Sequence, residues 1–218
     1  MRLRERSIAA VIGLSLLAAA SGCDDGGGPT PLPSSSAVPA QPASPTARAR
    51  FKGDRVLSND LSRDLGLEAS AICNELGTHP CTSEVHKVTL GGVDAYDRQI
   101  YVPLGTTAPS TPLAAERVVL SACLERAKRD FATPDAALLF GGLPLDGAKL
   151  TDIHGEAVTA SIERLYVALL ARHATPGEIA AVADSYADIE ASGDATPAQT
   201  WAALSCFAVG TSVEFLFY

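Results

Sequence analysis

The sequence predicts an all-α, disulfide-stapled domain over residues 51–218 of this 218-residue chain. The first observation is a repeated Thr-Pro pair, since Thr is a good helix N-cap and Pro is tolerated in the first helical turn. The second is the three-and-four spacing of apolar residues after these pairs, which is the period of an amphipathic helix. The third is an even set of four cysteines in the same region, which is typical of two disulfides. This length suits a single domain with its own core.

Each Thr-Pro pair predicts one helix start, at residues 111–112, 133–134, 175–176 and 196–197. After the third pair, Glu178 occupies the position that completes a capping box. Four apolar stripes are predicted to face the core. They are Leu113, Leu120, Leu124, Ala127 and Phe131; Val158, Ile162, Leu165, Tyr166 and Leu169; Ile179, Val182, Tyr186 and Ile189; and Trp201, Leu204 and Phe207.

Three shorter segments complete the predicted domain. Residues 58–77 predict one or two helices that end at Gly77, because glycine commonly ends a helix. Residues 84–102 carry β-branched and aromatic residues around a Gly-Gly pair, which predicts either a short hairpin or an ordered loop. Arg172 and His173 follow the second stripe, where positive charge suits the end of a helix.

The stretch ICNELGTHPCTSEVH, residues 72–86, holds two cysteines and two histidines. Covalent haem attachment requires Cys-x-x-Cys-His, and a zinc site usually has closely spaced ligand pairs; neither pattern occurs here. We therefore predict no metal and no cofactor. Of the three possible connectivities we favour disulfides Cys73–Cys81 and Cys123–Cys206. On the chain-entropy model they stabilise the fold by about 2.5 and about 4.5 kcal/mol respectively.

Residues 1–22 have the layout of a secretory signal peptide. Three arginines precede an apolar run over residues 8–20, which is too short to cross a bilayer as a helix. The motif ASGC that follows resembles the lipobox of bacterial lipoproteins. This resemblance implies that Cys23 is lipidated, with palmitate as the modification, and becomes the first residue of the mature protein. Asp24 resembles an inner-membrane retention signal of enteric bacteria, but inner and outer membrane both remain open.

Residues 23–50 are predicted to form a lipidated, disordered tether. The segment Asp24 to Arg50 holds six of the fourteen prolines and almost no large apolar residue. Such a composition cannot bury a core, and a flexible coil of this length reaches on the order of 30 Å. We expect the domain to be held close to a membrane, on its periplasmic side or at the cell surface.

The charge of the chain argues against nucleic-acid binding. Removal of residues 1–22 takes three arginines and one glutamate from 17 basic and 25 acidic side chains, which leaves 14 against 24. An acidic domain is repelled by phosphate backbones. Contact with the membrane is therefore expected through the N-terminal lipid rather than through a basic surface.

One pattern runs through two segments near the end of the chain, RLYVALLARHATPGEIAAV (164–182) and TWAALSCFAVGTSVEFLFY (200–218). Leu-Tyr, Leu-x-Arg, Thr-Pro-x-x-Glu, a Trp-containing helix and Ser-x-Glu-Phe resemble the C-terminal helical segment of planctomycete-type secreted proteins of unknown function that occur with cytochrome-like domains. The resemblance implies no catalytic residues. The residues themselves predict packing by Tyr166 and Trp201, capping by Thr175 and Glu178, and a final turn that begins at Ser212.

No catalytic motif is present, and no catalytic residue is predicted. His86, His154 and His173 are available bases, but the chain has no Gly-x-Ser-x-Gly elbow and no His-Glu-x-x-His pair. The segment DIHGE, residues 152–156, predicts a polar helix start, since side chains two apart on a helix do not face each other.

Two functions remain open at this stage. The first is a non-catalytic binding or scaffold module, anchored in the cell envelope, for another envelope protein. The second is a periplasmic enzyme or redox-accessory protein of a cytochrome-associated system. Convergence of His86 and His154 on one carboxylate would favour the second function, and separation of the two histidines would favour the first.

Overall fold

A computed structural model describes residues 49–103 and 108–218 of the chain. The predicted signal peptide, Cys23 and the tether up to residue 48 lie outside the described residues. The domain is mostly helical, as predicted. Its elements are α1 Asp54–Asp64, α2 Ala69–Ile72, β1 Asn74–Glu75, β2 His79–Pro80, a π-helical turn Cys81–Val85, α3 Thr111–Ala132, a 3-10 turn Pro134–Ala136, β3 Leu145–Asp146, β4 Lys149–Leu150, α4 Glu156–Leu170, α5 Pro176–Ala191, α6 Pro197–Gly210 and α7 Val213–Leu216.

Helices α3 and α6 pack closely against each other in the centre of the domain. The disulfide Cys123–Cys206 joins them, with Cα atoms 5.6 Å apart. Small residues allow the close approach: a Cβ atom at Gly210 would lie 2.8 Å from Cγ1 of Val119. The facing residues of α3 and α6 that are buried include Ala115, Ala122, Ala127, Ala202 and Ala203.

Helices α4 and α5 cover the rest of the core. All five residues of the predicted α4 stripe are buried, and Tyr186 is the buried centre of the α5 stripe. Trp201 of α6 is fully buried and donates its indole N–H to the carbonyl of Val182, 2.8 Å away, which ties α6 to α5. Full burial of a side chain of this kind contributes several kcal/mol to folding.

The predicted core stripe of α3 is wrong in part, and so is one residue of the predicted α6 stripe. Leu113 is 68% exposed and Leu124 is 50% exposed, and Leu204 of α6 is 40% exposed. The core face of α3 is instead the one that carries Val118, Val119 and Cys123. Both faces of α3 are apolar, and the face with small residues and the cysteine is buried because it lets α6 approach closely.

The first part of the domain also differs from the prediction. The segment 58–77 contributes to two helices, α1 and α2, but α2 ends at Ile72 and Gly77 lies in the turn of a hairpin formed by β1 and β2. Strands β3 and β4, each of two residues, form a second hairpin. The segment 84–102, predicted as a hairpin or a loop, begins in the π-helical turn and continues as an ordered loop with a bridge between Asp94 and Ile100. Two small hairpins thus accompany the helices.

The Thr-Pro pairs lie at helix starts, although the threonines do not all cap. Only Thr175 forms the complete capping box, with Glu178. The pair at 133–134 begins the 3-10 turn rather than a longer helix. Thr111 lies one residue inside α3 and donates its hydroxyl to the carbonyl of Thr89 at 2.7 Å. Thr196 precedes α6 without a side-chain cap, since its hydroxyl faces Asp194.

The chain enters the domain beside its C-terminal residues. Arg50 and Tyr218 exchange two backbone hydrogen bonds of 2.8 and 3.0 Å, and the rings of Phe51 and Phe217 meet edge to face. Lys52 lies over the ring of Phe215, 3.9 Å from its centroid. None of the helices within the described ranges has the length and apolarity that a bilayer crossing requires.

Candidate binding groove

A shallow groove of about 450 Å³ lies between the end of α1, the loop after the 3-10 turn and one face of α4. Its apolar surface comes from Leu138, Leu139, Val167 and Ala168. Leu138 is 46% exposed and Val167 is 47% exposed, so two aliphatic side chains in one groove face solvent. The volume is within the range of ligand sites in proteins. The charged and polar side chains that line the groove are Arg63, Asp64, Glu163, Arg164 and His173.

Asp130 of α3 holds the loop that forms one wall of the groove. Its carboxylate accepts the backbone N–H groups of Leu138, Leu139 and Phe140 at 2.8, 3.0 and 3.0 Å. It also pairs with Arg126 at 2.6 Å, and the Asp130 side chain is fully buried. Arg126 in turn lies 3.4 Å from the carbonyl of Leu65, just after α1. One carboxylate therefore fixes the loop to α3, and its partner guanidinium links the same site to the end of α1.

Arg164 of α4 holds the same loop from the other side. Its Nε donates to the carbonyl of Leu139 at 2.9 Å, and its Nη2 donates to the carbonyl of Gly141 at 3.0 Å. A further bond of 2.8 Å to the hydroxyl of Ser161 sets the direction of the side chain. The loop is bound through its N–H groups by α3 and through its carbonyl groups by α4. The wall is therefore rigid before any ligand arrives, which lowers the entropic cost of binding.

The acidic side chains of the groove face inward and are neutralised within the domain. Asp64 is only 7% exposed, and its Oδ1 accepts from Nε of Arg63 at 2.6 Å. Burial raises the pKa of Asp64, and the neighbouring guanidinium only partly opposes this effect. Glu163 is 29% exposed and accepts from Nδ1 of His173 at 3.1 Å and from the backbone N–H of Ala174 at 3.3 Å.

The cationic and imidazole groups instead form the outer rim. The side chain of Arg63 is 70% exposed and that of His173 is 86% exposed, and Arg164 is also exposed. The groove thus combines apolar walls with an outward-facing basic rim. The titratable side chains that line it are the acid and base groups Asp64, Glu163 and His173, together with the guanidinium groups of Arg63 and Arg164.

The histidines considered as catalytic bases do not converge. His86 lies 3.0 Å from Glu75, which also binds Arg117 at 2.9 Å. His154 lies 3.5 Å from Asp184 on α5, and both side chains are more than half exposed. Each histidine therefore has its own carboxylate on a different element. His79 similarly has Glu84 at 3.3 Å.

The segment 152–156 is a helix start, as predicted. Gly155 is the N-cap residue of α4, and the carboxylate of Asp152 packs so closely against it that a Cβ atom would not fit. His154 points to Asp184 instead of toward Asp152 or Glu156. The three residues therefore do not form a ligand set.

The four cysteines of the domain form the two disulfides favoured from the sequence. Cys73–Cys81 closes the β1–β2 hairpin, with Cα atoms 5.4 Å apart, and Cys123–Cys206 joins α3 to α6. In the described ranges, no group of three or more His, Cys, Asp or Glu side chains is arranged to hold a metal ion. Cys23, the predicted lipidation site, lies outside these ranges.

The pattern described above for residues 164–182 and 200–218 is a structural cluster around Arg172. Its guanidinium binds Glu178 and Glu214, each through two nitrogen–oxygen contacts of 2.7 to 3.0 Å, and lies 5.3 Å from the ring of Tyr166. The side chain of Ser212 caps α7, as predicted. Hydrogen bonds from Arg172 and Thr175 lower the pKa of Glu178 to about 2, and Arg172 likewise lowers the pKa of Glu214. The pattern thus joins α4, α5 and α7.

Sequence reasoning identified these caps but not the central role of Arg172, nor any residue of the groove except His173. Leu138 and Val167 carried no signal of their own, since aliphatic residues such as Leu139 and Leu150 also lie outside the predicted stripes and are buried. The residues that line the groove come from three segments that are distant in the sequence, 63–64, 138–139 and 163–173, and no local spacing connects these segments.

Comparison with known proteins adds no further assignment. No protein-family model, no curated protein and no solved structure matches the chain. The geometry of the groove is therefore the basis for a functional conclusion.

Proposed function

We propose that the chain is a lipoprotein of the cell envelope whose helical domain binds another envelope protein without catalysis. The observation that carries this proposal is the groove, in which exposed Leu138 and Val167 lie beside a loop that Asp130 and Arg164 hold in place. A preformed apolar groove with a polar rim is the usual form of a recognition site.

Two further features support a binding role. His86 and His154 contact separate carboxylates, which was the arrangement expected of the non-catalytic alternative. The signal-peptide pattern and the lipobox-like motif before Cys23 support a location in the envelope and attachment to a membrane through lipid.

Site-specific photo-crosslinking in intact envelopes tests the proposal. A photo-reactive amino acid replaces Val167 in the full-length lipoprotein, and the control carries it at Val213, a helical valine that is 74% exposed and does not line the groove. We expect one dominant crosslinked protein from position 167 and not from position 213. Equal crosslinking from both positions, or none from position 167, would refute the groove as the binding site.

A further inference from the structure

The rim of the groove has a sign of charge that the rest of the domain does not share. After residue 22 the chain carries 14 basic against 24 acidic side chains. At the groove, however, the most exposed charged groups and imidazole are Arg63, Arg164 and His173, while Asp64 is covered and Glu163 is half-buried. A partner that approaches this site therefore meets positive groups first.

The two guanidinium groups differ in how far their charge is balanced. Arg63 lies against two carboxylates, with Asp64 at 2.6 Å and Asp60 at 3.1 Å. Asp60 also forms an ion pair with Lys52, 2.9 Å away. The cluster of Lys52, Asp60, Arg63 and Asp64 therefore has two cations and two anions. Arg164 differs, because its hydrogen bonds go to two carbonyl groups and one hydroxyl. Within the described ranges no carboxylate pairs with Arg164, and its charge is available to a ligand.

The apolar walls set the second requirement on a partner. Leu138 and Val167 each leave nearly half of their surface in water, and burial of such surface stabilises a complex by roughly 25 cal/mol per Å². The charge of the rim then selects among partners with apolar groups, since complementary charge speeds encounter and disfavours partners of like charge.

We infer that the groove binds a protein segment in which an apolar side chain is flanked by aspartate or glutamate. This inference rests on the proposed function and specifies the chemistry of the partner at the same site. The apolar side chain packs against Leu138 and Val167. The flanking carboxylates bind the guanidinium of Arg164 and approach that of Arg63. Hydrogen bonds between a guanidinium and a carboxylate are among the strongest that arginine forms.

The test measures the crosslink yield from position 167 of the full-length lipoprotein in washed membranes, with a second substitution in the same chain. Arg63→Gln removes a rim charge, Arg63→Lys keeps it, and Arg98→Gln removes the charge of an arginine that pairs with Asp94 and does not line the groove. We expect Arg63→Gln to lower the yield about threefold, within the range for an exposed ion pair, because Asp64 and Asp60 already balance part of the Arg63 charge. Arg63→Lys and Arg98→Gln should each change it less than about twofold.

A salt titration of the protein that carries only the photo-reactive residue at position 167 also tests whether the crosslink yield depends on charge. It needs no second substitution that could affect folding. An increase in ionic strength from about 0.05 M to about 0.5 M shortens the Debye length severalfold and should lower the yield. A crosslink that persists unchanged in salt and in Arg63→Gln would refute the acidic partner and leave the proposed function intact. Absence of any crosslink from position 167 would refute the proposed function itself.

Discussion

Asp130→Asn should destabilise the domain strongly, although the two side chains have nearly the same shape. Oδ2 of Asp130 accepts the N–H groups of Leu139 and Phe140, and Oδ1 accepts the N–H of Leu138 and pairs with Arg126. An amide NH₂ group in place of either oxygen would face two donors. Each buried donor left without an acceptor costs about 1–3 kcal/mol, and loss of one partner of a buried ion pair costs about 3–5 kcal/mol.

We therefore expect Asp130→Asn to lower the free energy of unfolding by about 3–5 kcal/mol. With a urea slope of about 2 kcal/mol per molar, the unfolding midpoint should fall by roughly 1.5–2.5 M. The control is Asp135→Asn, a change in the exposed 3-10 turn that should stay within about 0.5 kcal/mol. If Asp130→Asn behaved like this control, the argument that a buried carboxylate holds the groove wall would be wrong.

Three further predictions concern other parts of the chain. Because the folded-state pKa of Glu178 is about 2, below its ordinary 4.5, the stabilisation from its pairing with Arg172 is present above pH 4.5 and is lost as the pH falls toward 2. The gap in urea midpoint between the parent and Arg172→Met should close over this interval, and a gap independent of pH would contradict the pairing. Gly210→Ala should cost about 1–3 kcal/mol through overpacking against α3, whereas Gly177→Ala, which meets open space, should cost nothing; equal effects in thermal unfolding would contradict the close helix contact. Cys23→Ser should abolish palmitate incorporation and move the protein from the membrane to the periplasmic fraction, and retention of both properties would refute the lipid anchor.

The sequence predicted the helical class and the α4 face for physical reasons that act locally. The residues of the α4 stripe follow one helical period, and a helix of this kind buries its larger apolar face. Helix α3 has apolar residues on two faces, so periodicity alone could not decide which one is buried. The choice of Val119 over Leu124 depends on the close approach of α6, which is a tertiary effect.

The groove was beyond sequence reasoning because its parts meet only after folding. Asp130 has the appearance of an ordinary acidic residue near the end of a helix, and only the path of the following loop places three N–H groups around it. Arg63, Arg164 and Leu138 belong to three segments without a shared motif. The two hairpins were also missed, since strands of two residues are too short to show an alternating pattern.

The most direct test of the central claim compares Val167→Glu with Val213→Glu in the full-length lipoprotein. The partner is first identified by crosslinking from position 167. The measurement is then the amount of this partner that co-purifies with each variant from solubilised membranes. Val167→Glu removes one of the two exposed aliphatic side chains of the groove and adds a carboxylate that competes with the partner for Arg164, so it should reduce co-purification about fivefold or more. Val213→Glu should leave it unchanged. Equal co-purification by both variants would contradict the conclusion that this groove binds the partner.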